Sequence, residues 1–110
     1  MVFAVTSGDE ADWRMTLGNT RNPIEGLKPD SVEVVGYAQG LGLVKLDSVV
    51  AKEIAALQEK HVRFVACENS MRMQHVEVKD LLPGIQPVPS WIVEVVRKQE
   101  QGWSYIKGGR

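Results

Sequence analysis

The 110-residue sequence has only one cysteine, Cys67. That excludes an intramolecular disulfide framework and suits a reducing compartment. Long hydrophobic runs are missing as well. No stretch approaches the ~20 apolar residues that cross a bilayer, and the apolar start at residues 1–5 lacks the basic flank, long apolar region and cleavage site of a secretory signal. Neither sign of charge is in excess. Thirteen basic and 14 acidic residues leave a net charge of -1, and the basic ones are scattered rather than gathered in a stripe. Neither nucleic acid nor a membrane is therefore expected as a partner. Cys67 and the two histidines, His61 and His75, lack zinc spacing, and there is no specific Ser/His/Asp pattern. No metal and no cofactor is expected, and both histidines are read as surface residues. Repeats and low-complexity tracts are also absent. This leaves a soluble cytoplasmic protein with one domain over residues 1–110, and 44% hydrophobic residues suffice for one core.

Within those bounds the chain alternates between short apolar runs and helical spacing. Val2, Phe3, Ala4 and Val5 form a nearly continuous apolar run, as in a strand buried on both faces of a parallel sheet. Ser7 or Asp9 can cap a helix over residues 10–27, with Trp13, Leu17, Thr20, Ile24 and Leu27 on one side. Pro23 predicts a kink or early stop near Asn22, and Gly26, Pro29 and Asp30 predict a loop. Residues 31–38 predict a second buried strand, rich in valine. A second helix is expected over residues 47–60, capped by Asp47 or Ser48, with Val50, Ile54 and Leu57 inward. Residues 62–66 predict a third strand and residues 70–74 a short helix. Residues 85–88 predict a fourth strand, which Pro87 makes poor for central pairing. Ser90 caps a helix over residues 91–101 with Ile92, Val95, Val96 and Gln99 inward, and residues 103–106 predict a last strand at an edge. A chain of this order folds as an open parallel sheet with helices on both faces.

Cys67 is the leading chemical candidate, because it stands where a strand ends and a helix begins, the place where α/β proteins bind ligands. A free cysteine is just as readily a small buried hydrophobe. A helix N-terminus stabilises a nearby anion by roughly 0.3–1 kcal/mol, too little to activate a thiol unaided, and Glu68 acts in the opposite direction. A cation such as Arg72 or Arg14 would be needed, so a moderately reactive thiol is expected. The backbone amides of Asn69 and Ser70 are candidate anion donors beside it. Gly40 and Gly42 hint at a phosphate loop, but the third glycine of a dinucleotide fingerprint and the Gly-Lys-Ser/Thr end of a P-loop are both missing. A plain turn that leaves space for a small ligand is the simpler reading. Trp91, Trp103 and Tyr105 are read as core, with a subunit interface as the alternative.

Several segments together resemble one family. Gly8-Asp9-Glu10 with Trp13, Leu17-Gly18-Asn19 and Arg21-Asn22 is similar to the first helix of the small DsrE/DsrF-like proteins. Val65-Ala66-Cys67-Glu68-Asn69-Ser70 resembles that family's cysteine segment. Asp80-Leu81-Leu82-Pro83-Gly84, Val88-Pro89-Ser90 and the stretch from Val96 to Ile106 resemble the C-terminal half of its short stand-alone branch. The resemblance implies a three-layer α/β/α fold on a mostly parallel five-stranded sheet, assembled as trimers or hexamers. It also implies a persulfide-carrying role for Cys67. The loop Ala38-Gln39-Gly40-Leu41-Gly42 stands where the family has Asn-Gly-Pro-Gly-like residues, and Pro23 departs from its pattern.

Two functions follow as expectations. One is a sulfur carrier or transferase that exchanges sulfane sulfur with donor and acceptor proteins through Cys67. The other is a non-catalytic small-ligand-binding or oligomeric interaction module, with Arg14, Gly40, Gly42 and the Cys67 loop around its pocket.

Overall fold

In the computed structural model, residues 1–26 and 32–109 are described, the side chains of residues 22–26 excepted. The apolar runs become five strands: β1 (Val2–Val5), β2 (Glu33–Gly36), β3 (Arg63–Cys67), β4 (Gln86–Val88) and β5 (Tyr105–Lys107). They pair in the order β4-β3-β2-β1-β5, and every pairing is parallel. β1, β2 and β3 lie inside the sheet and, Arg63 apart, are buried throughout. This is why β1 and β3 read as unbroken apolar runs rather than alternating ones. Pro87 lies on an edge strand, where its missing N–H costs little.

Among the described residues four α-helices connect the strands: α1 (Glu10–Gly26), α2 (Ala51–Glu59), α3 (Glu68–Met73) and α4 (Trp91–Glu100). Asp9 starts α1 as expected, its Oδ1 accepting from the Ala11 N–H at 2.9 Å. The stop expected near Asn22 does not occur, since α1 runs through Pro23 to Gly26. Proline removes a single N–H from the helical ladder, and only the last turn lies beyond it. Ile24 and Leu27, placed inward by spacing, and Pro29 and Asp30 of the expected loop lie outside the described side chains. α2 begins at Ala51, later than expected. Its N-cap is Val50 with no side-chain cap, because Ser48 is used in the preceding turn, its Oγ accepting from the Val50 N–H at 3.3 Å. The expected glycine loop is a 3-10 helix over Ala38–Val44.

The two faces of the sheet are covered very unequally. Phe3, Val5, Val34 and Phe64 pack under Trp13 and Leu17 of α1 and Ile54 and Leu57 of α2, in one large core. The opposite face carries a small core of Val2, Ala4, Val35, Val65 and Val88, and among the described residues Val95 and Trp91 of α4 are its only helical cover. Together these layers make a three-layer α/β/α sandwich. No described helix is long and apolar enough to cross a membrane.

The rotation of α4 differs from expectation. Trp91 stacks on Tyr37 with ring centroids 4.3 Å apart, and Ser90 Oγ accepts from the Val93 N–H at 3.1 Å. These contacts anchor the start of the helix so that Glu94 and Val95 are buried. Ile92 and Val96, expected inward, are 56% and 47% exposed, and Gln99 is exposed with them. The apolar stripe of α4 thus faces away from its own core.

Candidate functional site

The C-terminal edge of β2 and β3 is the natural place for a site in an open parallel sheet. The chain leaves β2 at Gly36, and Ala38 takes a positive φ of 52°, turning the backbone into the 3-10 helix. Two contacts from the next strand's helix hold that turn. The Ala38 N–H donates to Ser70 Oγ at 2.8 Å, and Gln74 Nε2 donates to the Ala38 carbonyl at 2.7 Å. Between these elements lies an apolar cleft of about 340 Å³ lined by Ala38, Gln39, Ser70, Met73 and Gln74. Around the far side of Gln74 is a more polar cleft of about 320 Å³ that includes Lys45, Asp47, His75 and Asp80.

The expected site residues separate into different roles. Cys67 is the last residue of β3 and the N-cap of α3, so its place at a strand–helix junction is as read. Its side chain is 1% exposed. Cys67 alternates with Val65, which puts it on the α4 face of the sheet, in register with Val88 of β4. It does not line the apolar cleft. Ser70 does, although its hydroxyl is committed to Ala38. Asn69 is exposed, and its Oδ1 accepts from Arg72 Nη2. Arg14 is not brought to the thiol. Its Nε lies 2.9 Å from Glu10 and its Nη1 3.4 Å from Glu53 of α2, on the helices of the opposite face. Neither cation named from the sequence is therefore free to pair with the sulfur. α3 also starts at Glu68, two residues before the helix expected from Ser70, and is six residues long.

The two glycines have packing reasons. The Gly40 N–H donates to the carbonyls of Thr6 at 2.9 Å and Tyr37 at 2.8 Å, and a Cβ there would run into the Val5 carbonyl oxygen. At Gly42 a Cβ would meet the Trp13 ring at 3.1 Å. Both glycines let the 3-10 helix press against the end of β1 and against α1, which leaves no phosphate-sized cradle at Gly40. His61 and His75 are exposed and adopt positive φ values of 69° and 56° in turns. No group of three or more His, Cys, Asp or Glu among the described residues could hold a metal ion.

Sequence reasoning missed one constellation. Glu33, the first residue of β2, is fully buried on the α4 face and sits against Glu94 of α4, itself 7% exposed. The available signal was a charged residue inside a run of valines that otherwise reads as buried on both faces.

Against known proteins, this geometry has a clear counterpart. A solved structure, described as that of the protein of unknown function MTH1491 from Methanobacterium thermoautotrophicum, is 34% identical to this chain. The match covers 96% of each chain with a TM-score of 0.91. The chain belongs to the family of MTH1491. No family model matches the sequence, and no curated protein matches it. Membership in the MTH1491 family carries the fold and leaves the activity to be argued from the residues.

The burial of Cys67 has a direct consequence. In the native protein it should react with a thiol-alkylating reagent at least about tenfold more slowly than in urea-unfolded protein. Mass spectrometry of quenched time points measures this, and equal rates in the two states would show the sulfur to be open.

Proposed function

We propose that this chain is a non-catalytic, homo-oligomeric interaction module of DsrE-like fold, assembling as a trimer or hexamer, with a small apolar-bodied ligand seated in the cleft between Ala38 and Gln74. The observation that carries this reading is the outward stripe of α4, where Ile92, Val93 and Val96 are exposed on adjoining positions of one helix. Burying such a side chain fully is worth roughly 1.5–3 kcal/mol, and an exposed cluster of them marks a contact surface. A second copy is the occupant that the charges favour. The chain's net charge of -1 sets up no long-range repulsion between copies. The margin of the stripe carries one charge of each sign, Arg97 and Glu100, so like surfaces meet without a like-charge excess.

Light scattering tests the reading. The wild type should have a mass that is a multiple of 12.2 kDa, while Val96→Lys should fall to the single-chain mass with an unchanged circular dichroism spectrum. A wild type that runs as a single chain at micromolar concentration would contradict the assembly.

The position of Cys67 at the end of β3 supports a second reading, the sulfur carrier. Here the thiol first loses its proton to solvent, and the thiolate attacks the outer sulfur of a persulfide donor. A new S–S bond forms as the donor leaves as a thiolate. An acceptor thiolate then attacks the outer sulfur on Cys67, which leaves as thiolate. With the sulfur 1% exposed, this reading requires a partner that opens the strand end. Incubation with a persulfide-loaded sulfurtransferase as the partner should then give a mass gain of one sulfur that a reductant removes and Cys67→Ser lacks. No gain on the wild type, or an equal gain on the variant, would exclude it.

A further inference from the structure

A pair of carboxyl groups lies beneath α4, apart from the cleft and from Cys67. Glu33 is fully buried at the start of β2, and Glu94 faces it from the inner side of α4. Burial and the neighbouring Glu94 carboxyl both favour the protonated form of Glu33. Two ionised carboxylates offer each other only acceptors, so a proton on one of them is what lets the pair hydrogen-bond. Arg63 of β3 places its Nε 3.2 Å from Glu33 Oε1, but off the direction of a hydrogen bond. No donor among the described residues reaches either Glu33 oxygen or Glu94 Oε2. The other charged groups that face the pair are Lys98 of α4, which also lies 4.5 Å from the centre of the Trp103 ring, and the amino terminus of Met1 beside β1.

We propose that the Glu33–Glu94 pair is a proton-dependent clasp that seats α4 on the sheet and so sets whether the outward stripe of α4 is presented to a second copy. The second half of this statement rests on the homo-oligomer reading above; the clasp itself does not.

α4 is the only described helix in the small second core, and its grip there consists of the Trp91 stack at its start, Val95 at its middle, and the acid pair. With the proton in place, one negative charge is shared between two carboxyls and faces Arg63 and Lys98. Without it, two negative charges sit together out of water, a repulsion that lifting α4 relieves. Burial first, and Glu94 next, push the Glu33 carboxyl up from 4.5 to about 8, with Lys98 and Arg63 acting in the opposite direction. Between those two values the folded chain keeps a proton that the unfolded chain releases, so the folded state loses stability as pH rises. Seating is at its firmest below about 4.5, weakens across the interval, and is lost above about 8.

Hydrogen exchange of the α4 amides, read by mass spectrometry at about pH 6 and about pH 9 and corrected for base catalysis, tests the clasp together with light scattering at both pH values. In the wild type, α4 protection should fall at least about tenfold at the higher pH, while the amides of β3 hold theirs. The mass should drop toward that of a single chain in parallel. Glu33→Gln keeps a donor for Glu94 at every pH, so its α4 protection should be the same at both values. Wild-type protection that does not change with pH, or a Glu33→Gln variant that loses protection as the wild type does, overturns the clasp. If Glu33→Gln does not fold, Glu94→Gln is read by the same criterion. A single-chain mass at both pH values with pH-dependent α4 protection keeps the clasp and removes the oligomer.

Discussion

Two carboxyl groups with one proton between them, buried where a single ten-residue helix meets the sheet, are the constraint on which the second face of this protein depends. The first face has α1 and α2, with large residues such as Phe3, Phe64, Leu17 and Ile54 packed between them and the sheet. The second has α4 and a thin layer of valines. A thin apolar layer leaves Glu33 no route to water, and the nearest cation, Arg63, does not align to satisfy it. Glu94 completes the contact from above. The same rotation of α4 that brings Glu94 inward turns Ile92 and Val96 outward, so the buried acid and the exposed stripe are two consequences of one helix orientation.

The C-terminal edge of the sheet follows a different logic, that of close approach. Gly40 lets the 3-10 helix pack against the end of β1, Ala38 turns the chain, and Ser70 and Gln74 tie that turn to α3. These ties shape the apolar cleft, while Cys67, in register with Val88 at the end of β3, stays buried outside it. A ligand in the cleft would touch Met73 and Gln39 and not the sulfur.

Much of the architecture is legible in the sequence, and each failure has a physical cause. β1 and β3 stand out because strands buried on both faces leave unbroken apolar runs, and the turn chemistry around Asp9 and Ser90 marks helix starts that the structure keeps. The strand-end position of Cys67 follows from the same run. Its burial does not, because it depends on what lies over the sheet from elsewhere in the chain. Spacing alone puts the apolar residues of α4 in the core, whereas Trp91, stacked on Tyr37, decides which side faces in. Glu33 is not legible for a related reason: its partner is 61 positions away on an element whose facing is a tertiary outcome. The glycines at 40 and 42 show a commoner confusion. A bare backbone is needed both to cradle a phosphate and to let two segments touch, and here the second need is the one present.

The most direct test is to titrate the side-chain carboxyl carbons by NMR, with Glu33 assigned through its loss in Glu33→Gln. The shared-proton account predicts that the Glu33 resonance moves with a midpoint near the value of about 8 that burial and Glu94 impose. A Glu33 carboxyl that titrates near 4.5, as an ordinary glutamate does, would contradict it.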